Sequence, residues 1–221
     1  MPLDLRARAV MCLTHDGEGP SHSEQALRLC RAGARWVQLR MKDAEPGRWL
    51  EEARRASEVC HRHGAILVVN DSVEVALASG ADGVHLGSRD GDWREARRRL
   101  GAGLIVGGSV NNEADAGIAA AAGCLDYVGV GPLRFTPTKS DLSPVLGFEG
   151  VHRILGLLGD IPSWVIGGVA AGDLPRLRRD GAAGVAVTAA LYRGGRIEEN
   201  LRALLESWEA APDPQSLERI S

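Results

Sequence analysis

Short apolar runs alternate with longer amphipathic stretches along most of the chain, and this alternation constrains the fold more than any other feature of the sequence. Runs of branched aliphatic residues of this length are typical of parallel strands whose two faces are both covered. Eight such runs occur, at residues 9–13, 36–40, 66–70, 83–86, 104–107, 126–130, 163–166 and 185–187. Helical patterns separate them, for example at residues 23–32, 47–63, 93–100, 113–122 and 198–209. The pattern therefore predicts repeated βα units.

A glycine stands wherever a helical stretch gives way to the next strand. A helix often ends on a residue in the left-handed conformation, which glycine adopts without strain. These junction glycines are Gly33, Gly64, Gly80, Gly101, Gly123, Gly159 and Gly181. They explain part of the high glycine content, 28 of 221 residues, against roughly 7% in average proteins. Seven junctions after a first strand predict eight βα units.

Two architectures are built from alternating βα units, an open doubly wound sheet and a closed (β/α)8 barrel. An open-sheet dinucleotide binder should carry Gly-x-Gly-x-x-Gly after an early strand, but the first strand is followed by Thr-His-Asp-Gly-Glu-Gly-Pro. No Pro/Gly/Ser-rich linker divides the chain. We therefore predict a single α/β domain, a (β/α)8 TIM barrel over residues 1–210, and a loose tail at residues 211–221.

Charge and cysteine usage narrow the class of protein further. A net charge of −3 creates no general field that would attract nucleic acid or an acidic membrane. No apolar stretch approaches the roughly 20 residues of a membrane span, and the N-terminus lacks the long apolar segment of a signal peptide. Widely spaced cysteines favour reduced thiols over a zinc site or a disulfide framework: Cys12, Cys30, Cys60 and Cys124. We expect a cytoplasmic protein without nucleic-acid or membrane partners.

The second strand ends in alternating polar and apolar residues. Side chains along a strand alternate between its faces, so Gln38, Arg40 and Lys42 share one side while Leu39 and Met41 share the other. In a barrel, the active site lies where the strands end. Two cations and an amide there would suit a polyanion such as a diphosphate. The alternative is a local ion pair of these cations with Asp43 or Glu45.

Two carboxylates follow the next two strands, Asp71 after the third and Asp90 after the fourth. Adjacent strand ends should bring them together beside Arg40 and Lys42. Carboxylate oxygens hold magnesium while substrate oxygens complete its shell. The pair therefore predicts a magnesium–diphosphate site, and the alternative is that each Asp caps the helix that follows it.

The remaining strand ends carry further groups suited to anions. Ser109 follows the fifth strand, and Thr136-Pro137-Thr138-Lys139 follows the sixth. Gly167-Gly168 and Thr188-Ala189 follow the last two, where barrels commonly bind phosphate through backbone amides; a tight turn is the alternative for the glycine pair. No Ser-His-Asp context is recognisable, which favours chemistry driven by leaving-group stabilisation. We expect backbone to approach phosphate at the glycines near these ends: Gly87, Gly107, Gly108, Gly129, Gly131, Gly167 and Gly168.

Taken in order, these motifs cover residues 9–205 and have a specific spacing. They are Gln38 to Lys42, Val69-Asn70-Asp71, Gly83 to Gly87 with Asp90, Gly107-Gly108-Ser109, Asp126 to Pro132, Thr136 to Lys139, Ile166 to Val169 and Gly184 to Val187. The set resembles the thiamin phosphate synthase family, and residues 142–147 resemble one branch of it.

The resemblance implies a (β/α)8 transferase of thiamin biosynthesis. Such an enzyme joins 4-amino-2-methyl-5-(diphosphooxymethyl)pyrimidine to 4-methyl-5-(2-phosphooxyethyl)thiazole, or its carboxylated form, giving thiamin phosphate and diphosphate. In the family the pyrimidine diphosphate ionises first, and the thiazole nitrogen captures the resulting carbocation. The resemblance further implies one Mg²⁺ per subunit and phosphorylated small molecules as partners, and it leaves open whether the protein is a homo-oligomer.

Carried over motif by motif, the resemblance implies three sets of site residues. The pyrimidine diphosphate would be bound by Gln38, Leu39, Arg40, Met41, Lys42, Asn70, Ser109 and Lys139, among which Arg40, Ser109 and Lys139 would be catalytic. The thiazole phosphate would be bound by Thr136, Pro137, Thr138, Gly168, Thr188 and Ala189. Magnesium would be held by Asp71 and Asp90.

Three positions depart from the family pattern. Asn111 stands where the family often has histidine, and Thr188-Ala189 replaces a common Val-Ser. Arg134 stands where an aromatic or aliphatic residue is common, and it either adds a phosphate contact or lines the rim. One alternative is a thiazole tautomerase-like paralogue, against which Asn111 argues because proton transfer needs an acid or base. The other is a non-catalytic phosphate-ligand-binding barrel, which should have lost part of the cation and carboxylate set.

Overall fold

The computed structural model describes residues 4–5, 7–17, 19–42, 44–87, 90–135 and 144–212. Eight strands among these residues form a closed, parallel barrel in sequence order, with the first strand paired to the last. This confirms the predicted (β/α)8 fold. The strands are β1 (Val10–Leu13), β2 (Trp36–Leu39), β3 (Ile66–Asn70), β4 (Gly83–Leu86), β5 (Ile105–Val110), β6 (Tyr127–Val130), β7 (Ser163–Ile166) and β8 (Gly184–Val187).

The strand boundaries agree with the sequence prediction to within one residue except at the end of β5. That strand continues to Val110, beyond the predicted end at Gly107, so Ser109 lies within the sheet. The paired glycines at 107 and 108 suggested a strand end in the sequence. In the structure both continue the sheet and pair with Tyr127 and Val128 of β6.

The helices surround the barrel and, at residues 23–32, 47–63, 93–100, 113–122 and 198–209, match the predicted ones to within one residue. The predicted βα units also require α3, α6, α7 and α8, whose bounds the sequence did not give. Three of them, α3, α7 and α8, have seven residues or fewer, too few to show a 3.6-residue period, and glycines interrupt α6. The helices are α1 (His22–Arg31), α2 (Pro46–Arg62), α3 (Val73–Ser79), α4 (Trp93–Leu100), α5 (Glu113–Ala122), α6 (Gly147–Leu158), α7 (Leu174–Arg179), α8 (Ala189–Tyr192) and α9 (Ile197–Glu209).

The seven junction glycines all have positive φ, between 59° and 106°, a backbone conformation that favours glycine as predicted, although ψ places Gly101 and Gly159 outside the left-handed helical region. At Gly80, for example, φ is 69° and the amide donates to the Ala76 carbonyl, so α3 ends there. The four cysteines carry free thiols, as predicted. Within the described ranges, no helix is long and apolar enough to cross a membrane. Residues 213–221 of the predicted tail lie outside the described residues, so the domain boundary stays a prediction.

Aromatic rings fill the barrel interior near the start of the strands. Trp36, Tyr127 and Trp164 are fully buried there, and the Trp36 ring lies edge-on to each of the other two at a centroid distance of 4.8 Å. Edge-on packing is the arrangement that aromatic quadrupoles favour. The polar interior residues Gln38 and Asn70 come later along their strands, so the polar end of the barrel is the one predicted to hold the active site.

Several strand glycines make room for interior and flanking rings, which corrects one expectation from the sequence. A Cβ atom on Gly107 would lie 2.2 Å from Cζ of Tyr127, and one on Gly108 would lie 2.9 Å from Cε2 of Trp93. At Gly129 it would lie 3.3 Å from Cε1 of His85. Close packing inside the protein, and not the approach of phosphate, therefore explains glycine at these three positions.

Candidate active site

The end of β2 presents its residues as the alternation predicted. Gln38 is buried inside the barrel, Arg40 is half-buried and Lys42 is exposed, whereas the side chains of Leu39 and Met41 are buried among the helices. Only backbone atoms of Leu39 and Met41 are thus available to a ligand in the barrel. Burial lowers the pKa of Arg40, and the neighbouring carboxylates of Asp71 and Asp16 oppose that shift.

The loop after β1 holds the end of β2 in place. The Arg40 amide donates to Oγ1 of Thr14 at 3.1 Å, and the Lys42 amide donates to Oδ2 of Asp16 at 3.1 Å. The ring of His22 joins these two acceptor residues, with Nδ1 at 2.7 Å from Thr14 Oγ1 and Nε2 at 3.1 Å from Asp16 Oδ1. Sequence reasoning missed this group because it searched the Thr-His-Asp segment only for a glycine motif.

The carboxylates of Asp71 and Asp90 lie within hydrogen-bonding reach of each other at the ends of β3 and β4. Burial and the nearby Asp90 raise the pKa of Asp71 to about 7, while Arg40 and Lys42 act in the opposite direction. Asp71 has a φ of 69°, the one positive φ outside glycine in the described residues. Its amide donates to the His85 carbonyl at 2.8 Å. The predicted convergence of two carboxylates with Arg40 and Lys42 is therefore present.

Helix capping does not explain these two carboxylates. The hydroxyl of Ser72 caps α3 by accepting from the Val75 amide at 3.2 Å. The carboxylate of Asp92 caps α4, accepting from the amide of Arg94 at 2.7 Å. Asp90 instead accepts from the Gly87 amide at 2.8 Å. The capping alternative is wrong for both residues.

The donor chemistry of the Asp71–Asp90 pair fits a hard divalent cation, which takes oxygen ligands and relieves the repulsion between two close carboxylates. Over the described ranges no group of three or more His, Cys, Asp or Glu side chains is arranged to hold a metal. A metal at this pair would therefore complete its shell with ligand and water oxygens, as Mg²⁺ commonly does.

A hydrogen-bonded row of side chains crosses the barrel interior below the carboxylates. Gln38 lies close enough to Tyr127 to lower the pKa of its phenol, although burial raises that pKa more. The Tyr127 hydroxyl lies 2.9 Å from Nδ1 of His85. Nε2 of His85 lies 2.9 Å from Oγ of Ser109. Sequence reasoning placed Gln38 and Ser109 in the site but missed His85 and Tyr127, since both fall within strands and resemble ordinary core residues.

A cleft opens on the side of the barrel formed by β6, β7, β8 and β1. Its empty volume is about 610 Å³, counting the open mouth. The walls are apolar, and backbone of the turns after β7 and β8 forms much of the rim. The lining residues are Leu13, Arg40, Gly131, Pro132, Ile166, Gly167, Gly168, Val169, Ala186, Val187, Thr188, Ala189 and Ala190. The predicted site residues Gly168, Thr188 and Ala189 thus meet Arg40 in one cleft.

Arg134 is committed to an ion pair at the rim of this cleft. Its guanidinium donates to Asp173 in bidentate fashion, at 2.6 and 2.7 Å, and to the Gly168 carbonyl at 3.0 Å. The Ala170 amide also donates to Asp173. Although burial opposes it, the hydrogen bond from Arg134 lowers the pKa of Asp173. Of the two roles left open by the sequence, Arg134 lines the rim and braces the turn after β7. Thr136, Pro137, Thr138 and Lys139 lie outside the described residues.

A closed barrel with cations, carboxylates and exposed turn amides at the ends of its strands defines the class of (β/α)8 enzymes that act on phosphorylated ligands. Residues 10–191 match the family model described as thiamine monophosphate synthase, and the chain belongs to that family. It is 41% identical to a thiamine-phosphate synthase of Bacteroides fragilis over 87% of this chain and 96% of the relative.

Two further relatives agree with this assignment. A thiamine-phosphate synthase of Phocaeicola vulgatus is 40% identical over 82% of this chain and 88% of the relative. The solved structure of a thiamine phosphate pyrophosphorylase from Pyrococcus furiosus superposes with a TM-score of 0.83 at 28% identity, covering 93% of this chain and 98% of that one. The resemblance noted in the sequence is confirmed, and the protein is a transferase of thiamine biosynthesis.

Proposed function

We propose that this protein is a magnesium-dependent thiamine-phosphate synthase that joins the pyrimidine diphosphate named above to the thiazole phosphate and releases diphosphate. The observation that carries the proposal is the convergence of Arg40 and Lys42 with Asp71 and Asp90 at neighbouring strand ends. Two cations and two close carboxylates suit a metal-bound diphosphate. The substrates are two phosphorylated small molecules, and the expected location is the cytoplasm.

The reaction exchanges one bond for another at the pyrimidine methylene carbon. The C–O bond to diphosphate breaks, and its electron pair leaves with the diphosphate. The thiazole nitrogen then donates its lone pair to the resulting carbocation, forming the C–N bond of thiamin phosphate. Arg40 and Lys42 stabilise the negative charge that develops on the leaving group. Electrostatic stabilisation of this kind is usually the largest single contribution to an enzyme's rate enhancement.

Other residues of the predicted set support this step from within the barrel. Asn70 and Ser109 stand near the ends of β3 and β5, where an amide and a hydroxyl can hold the diphosphate or the pyrimidine. Lys139 supplies a third cation in the proposal. Asp71 and Asp90 would hold one Mg²⁺, whose charge offsets that of the diphosphate.

The cleft on the side of β6, β7, β8 and β1 is assigned to the thiazole phosphate. Gly168, Thr188 and Ala189 line its rim, and Ala189 offers a backbone amide in place of a hydroxyl. Thr136, Pro137 and Thr138 complete this set in the proposal. When both reactants are bound at the same end of the barrel, their reaction becomes effectively unimolecular, which lowers its entropic cost.

One assay separates the proposal from its alternatives. Purified protein is incubated with both substrates, with magnesium or with EDTA, and the products are identified by mass. Thiamin phosphate formed only with both substrates and magnesium supports the proposal, and no product under any condition overturns it. A thiazole tautomerase would isomerise the thiazole phosphate without the pyrimidine. A non-catalytic barrel would bind the substrates in calorimetry without turnover.

A further inference from the structure

Arg40 and Lys42 depend on the loop after β1 for the position of their backbone. Both residues lie beyond Leu39, where β2 ends. The Arg40 amide donates to Oγ1 of Thr14 at 3.1 Å. The Lys42 amide donates to Oδ2 of Asp16, also at 3.1 Å. Two side chains of one loop therefore set the backbone from which both cations extend.

The ring of His22 joins these two acceptors. Its Nδ1 lies 2.7 Å from Oγ1 of Thr14, and its Nε2 lies 3.1 Å from Oδ1 of Asp16. Because an ionised carboxylate only accepts hydrogen bonds, Nε2 donates to Asp16. The Thr14 hydroxyl has one proton and two lone pairs, so it can bond with the Arg40 amide and with Nδ1 together. One imidazole thus holds both contacts to the end of β2.

His22 is anchored independently of the loop that it holds. It is the first residue of α1, and a capping box between Ser21 and Glu24 fixes that end of the helix. The Ser23 amide donates to Oε2 of Glu52, on α2, at 2.8 Å. His22 is only 6% exposed, so packing leaves its ring little room to move.

From these contacts, and on the proposed function in which Arg40 and Lys42 bind the diphosphate, we infer that His22 is a positioning residue for the diphosphate subsite. It acts on Arg40 through Thr14 and on Lys42 through Asp16. Because side chains alternate along the chain, the two cations share one face, and a shift of the backbone moves both. A displacement of about 1 Å in such a site can cost about 100-fold in rate. The cleft assigned to the thiazole phosphate lies mainly against the turns after β7 and β8, so binding there should change much less.

A second His–Asp pair of the same kind provides the matched control. Nε2 of His61 lies 3.0 Å from Oδ2 of Asp82, and that carboxylate also accepts from the Leu67 amide at 2.8 Å. Asp82 precedes β4 and Leu67 lies near the start of β3, so this pair is at the opposite end of the barrel from Arg40. Replacing His61 removes an equivalent contact far from the cations.

Binding of inorganic diphosphate in the presence of Mg²⁺, measured by calorimetry, tests the inference without reference to turnover. We expect His22→Ala to raise the Kd for diphosphate by about 10-fold, which corresponds to the loss of about one net hydrogen bond. His61→Ala should bind diphosphate as the wild type does. An unchanged Kd in His22→Ala, or an equal rise in both variants, would overturn the positioning role.

Two conservative variants separate the two contacts and serve if His22→Ala folds poorly. Asparagine places an amide near the position of Nδ1 and keeps the contact with Thr14. Glutamine reaches the position of Nε2 and keeps the contact with Asp16. Each should weaken diphosphate binding by only a few-fold at a thermal stability close to that of the wild type.

A background without the Lys42 cation then shows through which residue each contact acts. In Lys42→Met, the further change His22→Asn should have little effect, because the lost contact with Asp16 acts through Lys42 and coupled residues are not additive. The change His22→Gln should still weaken binding there, since it acts through Arg40. An equal effect of His22→Asn with and without Lys42 contradicts the inference.

Steady-state kinetics give the complementary measurement. In His22→Ala, kcat/KM for the pyrimidine diphosphate should fall about 10- to 100-fold, while the KM for the thiazole phosphate should stay within about two-fold of the wild type. A merely structural role would lower the fraction of active enzyme and leave both KM values unchanged, which would overturn the inference. If the wild type binds diphosphate but forms no thiamin phosphate, the proposed function alone is refuted, because calorimetry still decides the role of His22. Failure of the wild type to bind diphosphate would refute both.

Discussion

Arg134, which follows β6, forms a bidentate ion pair with Asp173, which follows β7. Its guanidinium donates two hydrogen bonds to the carboxylate, at 2.6 and 2.7 Å. Asp173 is 9% exposed, so its charge depends on this partner. The same guanidinium donates to the Gly168 carbonyl. The pair therefore ties the turn after β6 to the turn after β7, which borders the cleft.

Breaking this pair should affect one substrate more than the other. We expect Arg134→Leu to raise the KM for the thiazole phosphate several-fold, because Gly168 loses its brace, and to lower the free energy of unfolding by about 1–2 kcal/mol. Steady-state kinetics and chemical unfolding measure the two effects. Arg153→Leu is the control, since it breaks the exposed pair with Glu113, expected to contribute under about 1 kcal/mol. An equal effect of both variants would refute the bracing role.

Asp71→Asn should abolish most activity without unfolding the protein. Asparagine has the same shape and tolerates positive φ, so the backbone at φ 69° is preserved while a metal ligand is weakened. Loss of metal-assisted charge stabilisation should cost at least about 100-fold in the rate of thiamin phosphate formation, and Asp90→Asn should behave alike.

The matched control for these carboxylates is Asp92→Asn. Asp92 follows β4 as Asp90 does, but it caps α4, and asparagine caps a helix as well as aspartate. Its activity and its dependence on magnesium should equal those of the wild type. Near-wild-type turnover in both Asp71→Asn and Asp90→Asn would exclude the pair as the metal site.

Gly107→Ala adds only one methyl group but should destabilise the barrel strongly. The added methyl would meet the Tyr127 ring at 2.2 Å, and overpacking of this kind typically costs about 1–3 kcal/mol. Gly117→Ala is the comparison, because nothing lies within 4 Å of its Cβ position and alanine is favoured over glycine in helices by about 1 kcal/mol. Urea unfolding should therefore show opposite signs for the two variants.

His22 should make the stability of the protein depend on pH in mildly acid solution. Burial lowers its pKa, against the opposing influence of Asp16, so the native state resists a proton that the unfolded state accepts below a pH of about 6.5. The wild type should lose stability relative to His22→Asn as the pH falls from about 7 to 5. Urea midpoints at several pH values measure this difference, and a gap that widens in favour of the wild type at acid pH would contradict it.

The features that followed from the sequence are those fixed by local periodicity. The two-residue repeat of a strand placed Gln38 and Arg40 on one face and Leu39 on the other, and the order of parallel strands placed Asp71 next to Asp90. Each inference needed only the strand boundaries, which branched aliphatic runs marked clearly.

The features that did not follow depend on contacts across long stretches of chain. His85 meets Tyr127 only because β4 and β6 face each other through a glycine at position 107, and a histidine within a strand carries no local mark of that contact. Arg134 and Asp173 lie on different turns, whose relative positions are set by the closed barrel. The bounds of four helices did not follow from the sequence, because those helices are short or interrupted by glycine.

Inside the barrel, glycines leave space that aromatic and imidazole rings fill, and this packing limits how far a ligand can enter. Where β5 and β6 supply no side chain, the rings of Tyr127 and His85 fill the barrel interior and form its floor. A coordinated change of one ring and the glycine facing it would move that floor by one residue layer and leave the hydrogen bonds between strands intact. The same frame can therefore be fitted to ligands of different length by a handful of interior substitutions.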